Sequence, residues 1–272
     1  MKKFGKTIKL FLIDGEPNGR MTCELSNWTG KAFKIPRKQV KQSSEREELQ
    51  GTVIYILFGK SDKYGGKPVA YIGEAESIHK RLTQHLSSKD FWNVAIVFVS
   101  KDENLNKAHI KYIESRLFEE AIEVNRYSLE NGNNPPKPKI SESDESEMEE
   151  FIENIRLLVN TLGFKIFDEL INTEISEEEQ EQNTFHIEAA RGALGEGQST
   201  NEGFVVLKGS SIANSVTDSF PKAMNKLRDN LLLEEIIKAE GNRISFQQDY
   251  LFSSASAAAA LVMGRSANGL TE

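Results

Sequence analysis

One stretch, Gly51 to Leu117, constrains the fold more than any other part of the chain. Two apolar runs, Val53-Ile54-Tyr55 within GTVIYILFGK and Tyr71-Ile72-Gly73 within PVAYIGEAE, flank a short polar segment from Lys60 to Lys67. Asp62, Gly65 and Gly66 in that segment supply hairpin turn chemistry, so the two runs are expected to pair antiparallel. Such pairing brings Tyr55 and Tyr71 near one another. After Gly73 the spacing becomes helical: Ile78 and Leu82 fall at i, i+4, and Arg81 and His85 share a second face at the same spacing. A third strand, Phe91 to Ser100, follows. Asn104 is a fitting N-cap for a helix from Leu105 to about Asn125. On it Ile110, Ile113 and Leu117 form an apolar stripe, and Lys107, Lys111 and Glu114 share another face. Glu114 is therefore expected beside a basic strip and outside the core.

These residues resemble the GIY-YIG nuclease domain. That family carries two tyrosine motifs on a hairpin, an arginine eight residues after the glycine of the second, a His or Tyr one turn later, and a glutamate on the next long helix. The matching positions are Tyr55, Tyr71-Ile72-Gly73, Arg81, His85 and Glu114. One departure is visible: Val53-Ile54-Tyr55 keeps the tyrosine of the first motif but not its glycine, which bears on backbone detail more than on chemistry. The family also uses an asparagine near the end of the domain. Among Asn131, Asn133 and Asn134, Asn131 is favoured, although the run from Asn131 to Pro136 has turn chemistry of its own.

The resemblance implies a metal-dependent phosphodiesterase, an endodeoxyribonuclease using Mg2+ (or Mn2+). Phosphodiester hydrolysis needs an activated water, neutralisation of charge on the phosphoryl oxygens, and stabilisation of the leaving oxygen. Glu114 offers the hard carboxylate oxygen that magnesium prefers. Arg81 is permanently charged and can bridge two phosphate oxygens. By resemblance, Tyr55 is the general base or orients the attacking water, Tyr71 hydrogen-bonds in the same site, and His85 assists proton movement. A tyrosine base needs help, because its ordinary pKa is about 10. Taken singly, each residue has an ordinary role: strand tyrosines pack, an exposed Arg and His are solvated, and a glutamate beside a lysine is a surface charge. The ordered set carries the expectation. His79, His109 and His186 have no partner spacing, and one cysteine cannot build a zinc site. The sequence shows no phosphate-binding glycine loop of nucleotide type and supports no Ser-His-Asp arrangement.

The net charge of -7 is awkward for a nucleic-acid partner until it is divided along the chain. Residues 1–50 carry 11 Lys/Arg against 6 Asp/Glu, and residues 51–140 carry 13 against 11, whereas residues 141–182 carry 2 against 14. The front half can thus present basic surface to DNA phosphates. At 272 residues the chain exceeds most single cores. Four segments are expected: an N-terminal β segment at 1–50, a nuclease-like domain with a trailing acidic helix at 51–172, an acidic linker at 173–183, and a C-terminal α+β module at 184–272. The fold class is α+β, with a small antiparallel three-stranded sheet flanked by helices in the nuclease-like domain. The sole cysteine, Cys23, fits a reducing cytoplasm. Ile8 to Ile13 is broken by Lys9 and reads as a strand, not a signal peptide, and no run approaches the roughly 18 apolar residues of a membrane helix.

In the N-terminal segment Thr7 to Ile13, Arg20 to Leu25 and Ala32 to Ile35 are candidate strands. Trp28 suits a core position better than a stacking platform for bases. Arg37-Lys38-Gln39-Val40-Lys41 is a basic run that either meets phosphates or is solvated. Beyond the nuclease-like domain, Ser143 or Asp144 is expected to cap an acidic helix that Gly163 ends. The C-terminal module reads as a strand from Gly203 to Ser211, a helix from Ala223 to Ala239, a strand at Arg243 to Phe246 and a small-residue helix from Ala257 to Met263, suited to close packing on a sheet. This ending resembles the uncharacterised domain that follows the nuclease domain in some GIY-YIG proteins, and more loosely the restriction-enzyme-and-methylase-associated (RAMA) modules, which implies DNA recognition. In such modules an aromatic residue commonly follows the Asn-Gly pair, so the resemblance implies an end cut short after Asn268-Gly269. Cutting both strands with one small site implies a homodimer or sequential nicking. Two other classes stay open: a non-catalytic DNA-binding or DNA-modification-reading protein on the same fold, and a protein-interaction module suggested by the acidic 141–182 segment.

Overall fold

The computed structural model describes residues 4–61, 67–102, 104–171 and 184–267. The turn at Asp62, Gly65 and Gly66, the linker at 173–183 and the Asn268-Gly269 end lie outside the described residues. The chain divides into two compact units, Met1–Asp168 and Glu169–Glu272.

The first unit is built on one sheet in the order β1-β2-β3-β6-β4-β5-β7. Its strands are β1 (Ile8–Leu12), β2 (Met21–Leu25), β3 (Gly30–Pro36), β4 (Val53–Lys60), β5 (Pro68–Ala75), β6 (Trp92–Ser100) and β7 (Ser128–Leu129). The expected three-stranded sheet is therefore corrected to seven strands. The cause is β3, which alternates buried and half-buried residues and pairs with β6 from Gly30↔Ser100 to Pro36↔Val94. Through it the N-terminal strands extend the sheet of β4, β5 and β6 and share its core.

β4 explains the layering. Val53 to Phe58 is an unbroken apolar run, buried throughout, as a strand covered on both faces must be. Ile54, Ile56 and Phe58 face a core closed by α2 (Lys107–Val124) and α3 (Glu142–Thr161). Val53, Tyr55 and Leu57 face a second core closed by α1 (Ile78–Ser88) and by residues of the 3-10 turns at 37–49. The caps differ from expectation by a few residues. Asn106, not Asn104, caps α2, its Oδ1 accepting the N–H groups of Ala108 and His109 at 2.8 and 3.0 Å. Asn104 is instead held by Asp102. Ser141 caps α3 by accepting the Asp144 N–H at 3.2 Å. Glu142, Asp144 and Glu145 fill the first turn of α3, where carboxylates favour the helix dipole. Gly163 leaves α3 at φ 91°, and Phe164 then returns to stack on Phe58 with centroids 4.0 Å apart. Trp28 packs on Phe151 at 4.7 Å.

The second unit is a β-rich α+β module with strand order β12-β13-β11-β9-β10-β14 and β8 also paired to β9. It contains β8 (Thr184–Ala189), β9 (Ala193–Thr200), β10 (Gly203–Val206), β11 (Ser211–Ile212), β12 (Ile237–Glu240), β13 (Arg243–Phe246) and β14 (Tyr250–Phe252), with helices α4 (Lys222–Leu233) and α5 (Ala255–Met263). The expected helix at 223–239 stops at Leu233. Glu235 takes φ 55° and Ile237 to Glu240 pair with β13, so sheet pairing overrides the apolar periodicity of this run. The Gly203–Ser211 run divides into β10 and β11 around a turn at 207–210. α5 lays Ala258, Leu261 and Val262 on the same core as Val206, Ile212 and Phe252.

Candidate active site

Four of the six candidate residues meet on one face of the central hairpin. The β4–β5 register sets Tyr55 opposite Gly73 and Leu57 opposite Tyr71, so both tyrosines leave the same face two residues apart. Their ring centroids are 6.1 Å apart. Gly73 is needed for this: a Cβ built there would lie 2.6 Å from Tyr55 Oη and 2.8 Å from Tyr71 Cε1. The glycine after Tyr71-Ile72 thus provides the space in which the Tyr55 ring lies down.

α1 crosses this face and delivers the other two residues from successive turns. Arg81 Nε donates to Tyr55 Oη at 3.1 Å, and Arg81 Nη2 donates to Tyr71 Oη at 3.3 Å. His85 Nε2 is 2.8 Å from Tyr55 Oη. Because guanidinium groups only donate, Tyr55 Oη accepts from Arg81; towards His85 Nε2 it donates or accepts according to the imidazole tautomer. His85 is only 4% exposed, and its Nδ1 is buried with no hydrogen-bond partner among the described residues. Its pKa falls to about 4, first through burial and then through the charges of Arg81 and Lys89. The imidazole is therefore neutral at neutral pH. The Tyr55 phenol moves well above its ordinary range, mainly through burial, with the bond from Arg81 opposing. Tyr55 is thus a neutral phenol at neutral pH, and Arg81 is held charged by its bond to Tyr55.

Glu114 comes from α2, which covers the opposite sheet face. Its carboxylate accepts the backbone N–H of Glu74, the residue after Gly73. Burial and then the Glu74 charge push its pKa up to about 7, while Arg81 and Lys111 pull the other way. Glu114 is therefore half-buried at the β5 edge and less of a lysine-flanked surface charge than its spacing implied. Lys107 is engaged elsewhere, with Glu76 at 3.1 Å. Asn131 stays outside the phenol cluster. Its Oδ1 accepts the Ile72 N–H at 3.1 Å and its Nδ2 donates to Ile72 O at 2.7 Å. The side-chain amide continues the ladder that β7 forms with β5 at Val69↔Ser128 and Ala70↔Leu129.

Two neighbours had no signal in the sequence. Lys89 holds its Nζ 4.6 Å from the Tyr71 ring centroid and donates to Glu130 O at 3.3 Å. Arg37 neither meets solvent freely nor points a free guanidinium outward. It donates to Leu86 O at 2.9 Å and to Lys89 O at 2.7 Å.

Residues 185–272 match the model of a family described as a domain of unknown function, DUF4357. No curated protein and no solved structure matches the chain. Among the described residues, no helix is long and apolar enough to cross a membrane.

Proposed function

We propose that the first unit is a GIY-YIG-type endonuclease that hydrolyses DNA phosphodiester bonds with magnesium. The observation that supports this most is the convergence on one phenol oxygen: Tyr55 Oη has a guanidinium donor at 3.1 Å and a neutral imidazole nitrogen at 2.8 Å. A buried phenol with a permanent cation on one side and a neutral imidazole on the other is unusual for packing alone.

Arg81 binds a phosphoryl oxygen with the part of its fork not spent on the tyrosines and offsets charge that builds there. Tyr55 orients the attacking water. As the water adds to phosphorus, its proton passes to Tyr55 Oη while the phenol proton passes to His85 Nε2, leaving an imidazolium and no free phenolate. Burial keeps His85 neutral, and so able to accept, at physiological pH. Tyr71 fixes the second arm of Arg81. Among the described residues no group of three or more His, Cys, Asp or Glu side chains could hold a metal, so a hard divalent cation at Glu114 would have that carboxylate as its protein ligand and water for most of the rest. Held by Glu114, Mg2+ (or Mn2+) would supply Lewis-acid stabilisation of the leaving oxygen. In this reading the DUF4357 unit contributes DNA selection.

The test is cleavage of supercoiled plasmid with magnesium, beside Glu114→Ala and an EDTA control. Loss of the supercoiled form with wild type alone is the expected result. DNA binding that persists without metal, with no scission in any lane, would replace the nuclease with a non-catalytic DNA reader.

A further inference from the structure

Arg37 belongs to the N-terminal segment, more than 40 positions before α1, yet its guanidinium is spent on the end of that helix. Nη2 donates to Leu86 O at 2.9 Å, and Nη1 donates to Lys89 O at 2.7 Å and to Trp92 O at 3.3 Å. The same guanidinium lies 4.7 Å from the Trp92 ring centroid. Trp92 is fully buried and donates its indole Nε1–H to His85 O at 3.3 Å. Helix C-termini leave carbonyls without partners and carry partial negative charge. A forked cation that satisfies the Leu86 carbonyl of the last turn and the Lys89 carbonyl at its cap is suited to fix where the helix ends. Arg81 and His85 lie two turns and one turn before that end, and both reach Tyr55 Oη.

We propose that Arg37 is a positioning residue: with Trp92 it holds the C-terminal end of α1, and thereby His85 and Arg81, in register with Tyr55. Residues 30–43 then act as a brace for the candidate site and not as a detachable basic leader for DNA. The charge of Arg37 is consumed inside the fold, so it contributes little to phosphate binding. The catalytic arm of the test rests on the nuclease reading, and the spectroscopic arm does not.

The experiment compares the wild-type chain with Arg37→Ala and Arg37→Lys, each checked for folding by circular dichroism. The first readout is the NMR titration of the His85 imidazole, assigned with His85→Gln. In wild type, His85 is expected to stay neutral to well below pH 6, faced by Arg81 and Lys89 on its own helix and by Tyr55 and Tyr71 from the hairpin. In Arg37→Ala its signals shift and its titration moves toward that of free imidazole. Arg37→Lys, a point charge without the fork, falls between. The second readout is single-turnover plasmid cleavage against DNA affinity. Arg37→Ala is expected to lower the rate at saturating DNA by about 10- to 100-fold, the scale of a displacement of about 1 Å, with affinity within about threefold. An unchanged His85 titration in a folded Arg37→Ala protein overturns the proposal. So does an unchanged rate at saturating DNA with affinity lost and the salt slope reduced by about 0.9, the mark of one phosphate contact. If wild type cuts no DNA, the nuclease reading fails and the His85 titration still decides the brace. If Arg37→Ala does not fold, the same two readouts on Arg37→Lys decide it.

Discussion

Tyr55 lies across Gly73. The two face one another in the β4–β5 ladder, and a Cβ at position 73 would sit 2.6 Å from the Tyr55 hydroxyl and 2.7 Å from Cζ. Neither atom can retreat cheaply, because the ring is fully buried and its hydroxyl is tied to Arg81 and His85. Gly73→Ala is therefore expected to leave the sheet folded but to cost about 1–3 kcal/mol of overpacking. Cleavage should fall at least about tenfold as Tyr55 Oη moves. Urea denaturation beside single-turnover kinetics checks this; full stability with full activity would mean that the ring has room the geometry denies it.

His85 and Glu114 carry opposite pH dependences over nearly the same range. The folded pKa of His85 lies at about 4, below its ordinary 6.5. Its contribution to stability is complete above about pH 6.5 and is lost as pH falls toward 4. The folded pKa of Glu114 lies at about 7, above its ordinary 4.5. Its contribution is complete below about pH 4.5 and is lost as pH rises through 7. In metal-free protein the two slopes offset. His85→Gln should therefore leave a chain that loses stability as pH rises from 5 to 7, and Glu114→Gln one that gains it over the same range. Melting temperatures at half-unit steps between pH 4.5 and 8 check the signs. Two variants with the same slope would refute the assignment.

The parts of this site legible in sequence were those governed by local spacing. Spacing paired Tyr55 with Tyr71 on a hairpin and Arg81 with His85 on one helix face, and only the resemblance joined the two pairs into one site. Glu114 was placed on the correct helix, but its environment was misjudged. Spacing along α2 shows Lys107 and Lys111 as neighbours and says nothing of Glu74, which arrives from β5. Asn131 was separable from Asn133 and Asn134 only through its pairing with Ile72, 59 positions away. The seven-stranded sheet was missed for the same reason: β3 to β6 pairing joins residues about 60 to 70 positions apart, and strands named one by one do not state their partners. Arg37 read as one charge in a basic run because carbonyl acceptors on a distant helix leave no mark in the pattern of charge.

Asn131 should matter through the backbone it holds. Its amide supplies both partners of Ile72 at the point where β7 ends, at 3.1 and 2.7 Å. Asn131→Ala orphans an N–H and a C=O beside the tyrosine, a loss of about 1–3 kcal/mol. The Ile72 amide should then exchange with solvent faster by roughly tenfold for each 1.4 kcal/mol. Asn131→Asp keeps the acceptor for the N–H but turns a carboxylate toward Ile72 O, so it should be no better than alanine above pH 5. Hydrogen exchange resolved at Ile72 checks both; unchanged protection in Asn131→Ala would show that β5 needs no support there.

Arg228 is the corresponding test of the second unit, where the family match provides no chemistry. It is 8% exposed and donates from Nη1 to Ala213 O at 2.8 Å and from Nη2 to Asn214 O at 3.3 Å. Those carbonyls follow β11, and the Ala213 N–H is itself bonded to Val262 O on α5 at 2.7 Å, so one side chain on α4 ties strand and helix together. Two effects oppose each other in Arg228→Met. Removing the guanidinium ends the cost of burying a charge, which already lowers its pKa through desolvation. It also takes the guanidinium donor from the buried Ala213 carbonyl and from the more exposed Asn214 carbonyl, while the methionine preserves much of the apolar stem. Guanidinium is the more weakly hydrated of the two basic groups, so the orphaned carbonyls should win and the variant should lose about 1–3 kcal/mol. Because an arginine stays charged across this range, the loss should be the same at pH 5, 7 and 9, unlike the slopes expected for His85 and Glu114. Urea midpoints at those three pH values check it. A variant as stable as wild type would mean that charge burial costs as much as the two hydrogen bonds return.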